Sequence, residues 1–245
     1  MSWIPPWLGN AYSTLFAIDG SAALSIDTAS RALGFSPRRA RLILSLLARE
    51  GWLIRVGRGR YVVPEPEAVV ALEAAGFPRR YGQESFYPVL VLGLSGVFRT
   101  FRSRLRSVAL FGSSARREHG AQSDVDLLVV LERVPPQWDE RQADLAAVEQ
   151  AARELNRFLW EERHEYHPVQ VTLIDPDGLG REPRLLLDLT EDARILWDPT
   201  GVLAGVLERL RGRLRERGSR RVRLEGGRSY WDLTPAGGSG PIEAL

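Results

Sequence analysis

The spacing of apolar residues changes along the chain, and each change marks a different kind of element. In the N-terminal third, apolar residues recur at helical spacing in three segments, residues 10–20, 25–33 and 36–50. Gly34 and Gly51 follow the second and third segments, where glycine commonly ends a helix. Ser36 and Pro37 are typical of the N-cap and first position of a helix. The pattern therefore predicts three helices before residue 51.

Two short β-like runs come next, residues 52–56 and 60–63, and Gly57-Arg58-Gly59 links them as a tight hairpin with a basic tip. Helices followed by a basic hairpin are the order of a winged helix-turn-helix. Residues 8–64 resemble the DNA-binding domains of bacterial and archaeal transcription regulators that have this fold.

The winged-helix resemblance implies double-stranded DNA as a partner. In such domains the second helix of the motif enters the major groove, where its early residues touch bases and phosphates. Arg38, Arg39 and Arg41 occupy that part of the third predicted helix. Arg58 and Arg60 would lie on the wing, near a phosphate backbone or a minor groove. The alternative is a winged helix that makes only protein contacts, with these arginines as a solvated face.

Two continuous apolar runs in the middle of the chain, residues 108–111 and 127–131, predict buried strands. Gly112 and Ser113 follow the first run, where the pattern changes to that of a helix. Free N–H groups at a helix N-terminus attract anions, glycine lets a ligand approach the backbone closely, and serine adds a hydroxyl donor. This strand-to-helix turn indicates a phosphate site.

Asp124 and Asp126 stand at the start of the second apolar run. Because side chains alternate across a strand, both carboxylates point to the same face. Two carboxylates at the start of a buried strand are costly unless they serve a cation. Mg²⁺ takes a few carboxylates together with phosphate oxygens and water, and Mn²⁺ is an alternative. The pair therefore predicts metal-assisted phosphoryl or nucleotidyl transfer.

The spacing of these motifs, Gly112-Ser113, ten residues, then Asp124-x-Asp126, resembles the signature of the DNA polymerase β-like nucleotidyltransferase superfamily. Its members transfer a nucleoside monophosphate from a nucleoside triphosphate (NTP) to a hydroxyl group. The resemblance implies that Asp124 and Asp126 bind metal and are catalytic, and that Gly112, Ser113 and Arg116 contact the nucleotide. Arg117 stands where many members have a glycine, so the turn is expected to differ there.

The same superfamily places a third acid on a later strand, as a general base or a metal ligand. In the run of residues 168–175 the matching inward position is Gln170, which is neutral and a poor base. Asp175 would face the other way in a regular strand and resembles a cap at its end, although Asp175 or Asp177 stays open as the third acid. A missing acid would mean a slow enzyme, a different metal arrangement, or nucleotide binding without turnover.

The rest of the chain completes a two-part organisation. Residues 64–67 begin a linker helix, residues 86–101 have helical spacing, and the C-terminal part predicts a helix, a strand, a helix, a hairpin and a flexible tail after Pro235. This ending resembles that of archaeal proteins that join a winged helix to a nucleotidyltransferase domain. We expect an α/β (α+β) fold with a mixed-sheet nucleotidyltransferase core. The expected boundaries are a winged helix-turn-helix at 1–64, linker helices at 65–106, the core at 107–200, and a C-terminal helix, hairpin and tail at 201–245.

Composition narrows the function classes. The 245 residues hold no cysteine, which excludes disulfides and Cys-ligated zinc, and His164 and His167 are interpreted as surface or boundary residues rather than a zinc pair. No apolar run is long enough for a membrane span, and the N-terminus lacks the pattern of a signal peptide, so we expect a cytoplasmic protein without a membrane partner. All 33 basic residues are arginine, but the net charge is only +2, so charge arguments must rest on local clusters.

The leading hypothesis is a Mg²⁺-dependent nucleotidyltransferase that acts on an unknown hydroxyl acceptor and carries a DNA-binding winged helix. One alternative is a DNA-binding regulator whose nucleotidyltransferase domain senses a nucleotide without turning it over. Another is an antitoxin-like partner of a toxin. A protein acceptor or a homodimer also stays open from the sequence.

Overall fold

The computed structural model describes residues 4–18, 23–180, 183–224 and 229–233, as helices packed on three β-sheets. The helices are α1 (Pro6–Phe16), α2 (Ile26–Leu33), α3 (Pro37–Arg49), α4 (Pro66–Ala74), α5 (Phe77–Tyr81), α6 (Tyr87–Phe101), α7 (Gly112–Arg116), α8 (Trp138–Arg163), α9 (Pro183–Asp192) and α10 (Val202–Glu216). The strands are β1 (Leu24–Ser25), β2 (Ile54–Gly57), β3 (Arg60–Val62), β4 (Leu105–Phe111), β5 (Val125–Leu131), β6 (Val169–Ile174), β7 (Arg194–Trp197), β8 (Arg220–Arg223) and β9 (Ser229–Asp232).

The N-terminal helices begin and end where local signals place them. The Ser25 hydroxyl accepts a hydrogen bond from the Thr28 N–H at 3.0 Å and caps α2, which ends at Gly34 with φ 65°. The Ser36 hydroxyl caps α3 in the same way. The first helix was predicted too late in the chain: α1 begins at Pro6, because a proline suits the first turn of a helix. Residues 19–22, in which that prediction ended, lie outside the described residues.

The predicted hairpin is present, and it forms a small sheet of order β1-β3-β2. Leu24 and Ser25 pair with Tyr61 and Arg60, a short strand that the sequence pattern did not reveal. Leu15, Leu44 and Leu47 are fully buried between the helices and this sheet. The hairpin also contributes to a second core, because Ile54, Val56 and Val62 pack with α6 and α8. The N-terminal elements are therefore seated on the middle of the chain.

The central sheet has the order β6-β5-β4-β7 and is mixed. β5 runs parallel to β6, while β4 runs antiparallel to both β5 and β7. Leu127 and Val129 belong to the core with α6 and α8 on one face, and Leu128 and Val130 to the core with α9 and α10 on the other. Burial on both faces explains why β5 reads as an unbroken apolar run.

The C-terminal hairpin β8–β9 contacts α9. The Arg221 guanidinium binds the Asp192 carboxylate at 2.8 Å, and the Trp231 indole N–H donates to Asp188 at 3.1 Å. Thr234 and Pro235, predicted at the end of this hairpin, and the tail after Pro235, predicted to be flexible, lie outside the described residues. Among the described residues, no helix combines the length and apolar character that a membrane crossing needs.

Candidate nucleotide and metal site

The predicted glycine and one carboxylate lie side by side at one edge of the central sheet. Phe111, the last residue of β4, pairs with Asp126 of β5, so the chain turns at Gly112 directly beside that carboxylate. Gly112 has a φ of 70°, a conformation that side chains disfavour. A Cβ at this position would collide with the Asp126 carboxylate. Glycine therefore permits both the turn and the close approach of the acid.

Hydrogen bonds hold the segment that precedes β5. The buried Ser114 hydroxyl donates to the Asp124 carbonyl oxygen at 2.9 Å, which joins α7 to the start of the strand. His167 Nδ1 lies 2.9 Å from the Ser123 carbonyl oxygen, an acceptor only, so this nitrogen carries the proton. His167 Nε2 then accepts from the Ser85 hydroxyl at 3.0 Å. The interpretation of His167 as a surface or boundary residue was wrong, because it is fully buried.

The negative charges of Asp124 and Asp126 repel each other, and burial of Asp126 adds to the cost of its charge. Burial raises the pKa of Asp126 above its ordinary value of 3.8, and the negative charge of Asp124 raises it further. The Arg116 guanidinium opposes this shift in the pKa of Asp126. A cation between the two carboxylates would offset the same repulsion, so the observed donor set fits one Mg²⁺ or Mn²⁺ ion completed by phosphate oxygens and water.

The raised pKa of Asp126 gives a pH dependence of stability. Between pH 3.8 and its higher folded pKa, Asp126 keeps a proton that the unfolded chain releases, so the free energy of unfolding falls as pH rises through this window. We expect Asp126→Asn to remove this fall in metal-free denaturation curves measured at several pH values. Asp139→Asn, an exposed acid of α8, should leave it unchanged. A decline that persists undiminished in Asp126→Asn would contradict the assignment.

Arg116 lies near Asp124 and Asp126, but its guanidinium group already forms ion pairs with two other acidic side chains. Its Nε binds Glu118 at 2.6 Å and its Nη1 binds Asp192 at 3.1 Å. The nearly buried Asp192 also binds Arg221, so it connects α7 to the C-terminal hairpin. Sequence reasoning missed Asp192, and no local signal could have found it across 76 residues. A nucleotide that uses Arg116 has to share it with these acids.

The structure puts Gln170 beside Asp126 and Asp175 elsewhere. In the parallel ladder of β5 and β6, Gln170 is the partner of Asp126. Asp175 follows the other end of β6, about 16 Å further along at the usual rise of a strand. Its carboxylate accepts a hydrogen bond from the Gly178 N–H at 2.7 Å and so caps a turn. The described residues hold no group of three or more acidic, histidine or cysteine side chains that could bind a metal.

The arginines predicted to contact DNA fall into two sets. Arg38, Arg39 and Arg41 are exposed on α3, and the Arg39 guanidinium lies 3.9 Å above the Phe35 ring centroid. The hairpin arginines instead face α8: Arg58 pairs with Glu162 at 3.5 Å and Arg60 with Glu154 at 2.6 Å.

Comparison with known proteins bears on the middle of the chain. Residues 94–188 match the family model of the nucleotidyltransferase domain. The match includes Gly112, Ser113, Asp124, Asp126 and Gln170. At the level of the family, it supports a transferase-type enzyme that uses an NTP and a divalent metal ion. No curated protein matches the chain.

Solved structures with similarity include a toxin–antitoxin with AMP-PNP, at 18% identity and a TM-score of 0.29, covering 51% of this chain and 90% of that one. Two mutants of the toxin–antitoxin MntA-HpeT have 16% and 17% identity and TM-scores of 0.28 and 0.30, and each covers 51% of this chain and 89% of its own.

Proposed function

We propose that the nucleotidyltransferase domain transfers a nucleoside monophosphate from an NTP to a hydroxyl acceptor, with Mg²⁺ as the metal. The observation that carries the proposal is the carboxylate pair Asp124 and Asp126 at one edge of the central sheet. The absence of a side chain at Gly112 leaves room for the Asp126 carboxylate beside the turn. The family match over residues 94–188 supports the same chemistry.

Each side chain has a role that its position allows. Asp124 and Asp126 would hold the metal, which would neutralise phosphate charge and polarise the α-phosphate. Gly112 and Ser113 offer backbone N–H groups and a hydroxyl to the phosphates, although α7 is a single turn of five residues. Gln170 can accept a hydrogen bond from the acceptor hydroxyl but cannot take its proton, which passes to solvent. The acceptor oxygen bonds to the α-phosphorus, the bond to the β-phosphate oxygen breaks, and pyrophosphate leaves.

Labelled nucleotides test this proposal directly. The full chain is incubated with a cell extract, Mg²⁺ and an NTP that carries its label on either the α- or the γ-phosphate. Beyond what the extract incorporates without the chain, we expect α-label, and no γ-label, to enter an acceptor, and a chelator to prevent it. Transfer of the γ-label would mean phosphoryl transfer and would refute the proposal, as would α-labelling that survives the chelator.

A second candidate is a DNA-binding regulator that senses a nucleotide without turning it over. The observation in its favour is Gln170, because the position beside Asp126 lacks the base and metal ligand that a third carboxylate would supply. Under this proposal, Mg²⁺ and NTP bind at Asp124 and Asp126 and alter DNA binding, but no label is transferred.

The native rate of α-label transfer, measured beside that of Gln170→Glu, distinguishes the two candidates. A carboxylate beside Asp126 can accept the proton of the attacking hydroxyl, a contribution of about 10²-fold or more. If the domain senses a nucleotide, we expect the variant to create α-label transfer; if it is a slow enzyme, we expect it to raise the existing rate. Gln150→Glu, an exposed substitution on α8, is the control and should have no effect. A rate that Gln170→Glu lowers would show that the amide itself is required.

We also propose that α3 binds double-stranded DNA as the recognition helix of a winged helix. The support is its three exposed arginines and the helix–helix–hairpin order around it. Since the hairpin arginines are paired with Glu154 and Glu162, the proposal rests on α3 rather than on the wing.

Salt dependence is the measurement for the α3 proposal. Each phosphate contact contributes about −0.9 to the slope of log K against log salt concentration. We expect Arg38→Ala/Arg39→Ala/Arg41→Ala to weaken duplex binding and to reduce the slope by up to about 3. Arg31→Ala/Arg49→Ala, exposed arginines on α2 and α3 outside the predicted contact, is the control. If log K of the native chain barely changes with log salt concentration, the proposal that α3 contacts phosphates is wrong.

A further inference from the structure

The C-terminal half of α8 and the segment that follows it expose aromatic side chains beside arginines. Trp160 and Tyr166 are 48% and 46% exposed, whereas Phe77, Tyr81 and Phe101 of α5 and α6 are buried. Together with Gln122, Arg153 and Arg157 they line a concavity of about 430 Å³. Arg153, Arg157 and Trp160 are four and three residues apart and so share one face of the helix. We name these five residues the α8 surface.

The Trp160 ring is supported by its neighbour. His164, the residue after α8, has a φ of 56° in a position where glycine is usual. Its ring meets the Trp160 ring edge-on, with the centroids 5.7 Å apart. Tyr166 is tied to the loop before β5, because its N–H donates to the Ala121 carbonyl oxygen at 2.9 Å. Both aromatic residues are thus anchored while one side stays open to solvent.

The charges of the α8 surface are available to a ligand. The arginines of the hairpin and of α7 are paired with carboxylates. Arg153 and Arg157, in contrast, form neither an ion pair nor a hydrogen bond with any residue that the structure describes. Guanidinium groups bind phosphate bidentately, and exposed aromatic rings stack with nucleobases. Two available arginines beside two aromatic rings therefore match the repeating phosphate and base of a nucleic-acid strand.

The α8 surface lies at the same edge of the central sheet as the carboxylate pair. Val125 pairs with Val169 in the parallel ladder, and the Val125 N–H donates to the Pro168 carbonyl oxygen at 2.8 Å. Tyr166 precedes Val169 by three residues, and Asp124 precedes Val125 by one. A strand that lies on the α8 surface can therefore bring its end around this edge toward Asp124.

We propose that the α8 surface binds single-stranded nucleic acid, and that such a strand is the acceptor class of the transfer reaction. The second part rests on the proposed function, whereas binding does not. Bases have to be unstacked to reach Trp160 and Tyr166, so a single strand is bound in preference to a duplex.

Fluorescence anisotropy measures binding without any NTP. Labelled single strands of about ten nucleotides, as RNA and as DNA, are compared with duplexes of the same sequence. We expect Trp160→Ala/Tyr166→Ala to raise the Kd for single strands by about 10-fold or more, because stacking is worth about 1–3 kcal/mol per base. Arg153→Ala/Arg157→Ala should weaken binding and lower its salt dependence.

Four control variants separate this surface from general effects. Trp138→Ala removes another tryptophan of α8, which is 68% exposed, and Arg133→Ala removes an exposed arginine that precedes α8; both should leave the Kd unchanged. Trp160→Phe keeps an aromatic ring and should retain most of the affinity. The α3 variant Arg38→Ala/Arg39→Ala/Arg41→Ala should lose duplex binding but not single-strand binding. Single-strand binding that is absent, or that the α8 variants do not reduce, overturns the proposal.

A transfer assay with α-labelled NTP then tests the acceptor class. Label on the bound oligonucleotide, reduced by Trp160→Ala/Tyr166→Ala, supports the whole proposal. Label that enters only extract protein, with oligonucleotide binding intact, refutes nucleic acid as acceptor. Intact binding with no label in any arm refutes the proposed transferase activity, while the α8 surface remains a binding site for single strands.

Discussion

Replacement of Asp124 and Asp126 by asparagine is expected to lower Mg²⁺-dependent nucleotidyl transfer by at least about 10³-fold. A bound metal supplies several kcal/mol of charge stabilisation, and each 1.36 kcal/mol corresponds to about tenfold in rate. Asparagine keeps the size of the side chain but has no charge to hold the cation. The measurement is α-label transfer at saturating Mg²⁺, together with NTP affinity in the presence and absence of the metal. We expect the metal dependence of NTP binding to disappear with the activity.

The control for this double variant is Asp139→Asn/Glu140→Gln, which removes two exposed charges from the first turn of α8. It changes the net charge equally but should leave transfer intact. Denaturation curves should show that Asp124→Asn/Asp126→Asn is folded and no less stable, because it removes the repulsion that helps raise the pKa of Asp126. If Mg²⁺ still strengthens NTP binding to this folded variant, the metal site lies elsewhere.

Elements with local signals could be predicted from the sequence. α2 and α3 have a capping serine at the start, and α2 ends at Gly34 in the left-handed conformation, so their bounds follow from a few neighbouring residues. β5 could be predicted because burial on both faces makes its apolar run continuous. α1 was predicted late and β1 was missed, since a two-residue strand is defined by its partner β3 rather than by its own sequence.

The positions of Gly112, Asp124 and Asp126 at one sheet edge could be predicted, because they depend on the alternation of side chains along a strand and on the spacing between the two motifs. Asp124 and Asp126 flank one strand residue, and Gly112 marks the turn that the antiparallel ladder places beside Asp126. Gln170 could be matched to the third-acid position by alternation along its strand, and the parallel ladder pairs it with Asp126. The family match over residues 94–188 includes all four of these positions.

The partners of the arginines could not be predicted. Arg116 was expected to be available to a nucleotide, but it binds Glu118 and the distant Asp192. Arg58 and Arg60, expected on the wing, form ion pairs with carboxylates of α8, although their side chains remain 86% and 52% exposed. Such pairs form because tertiary packing brings the elements together, and the sequence near each arginine contains no sign of it. Charge clusters in a sequence therefore show where cations lie, but not whether they are available.

Gly112→Ala is expected to lower nucleotidyl transfer by a larger factor than its modest loss of folding stability would explain. A side chain at a φ near 70° costs about 1–2 kcal/mol, and at Gly112 the added Cβ would also collide with the Asp126 carboxylate. Asp126 must then move, and a displacement of about 1 Å at a reacting group can cost about 10²-fold in rate.

Gly201→Ala is the matched control, because Gly201 has a φ of 68° but no atom within 4 Å of the added Cβ. We expect Gly201→Ala to lower the free energy of unfolding by the conformational cost alone and to leave label transfer unchanged. Gly112→Ala should lower transfer by about 10–100-fold and raise the Mg²⁺ concentration needed for half-maximal activity. Equal losses of stability and activity in the two variants would mean that φ alone explains Gly112, and that the fit between this glycine and Asp126 has no part in the chemistry.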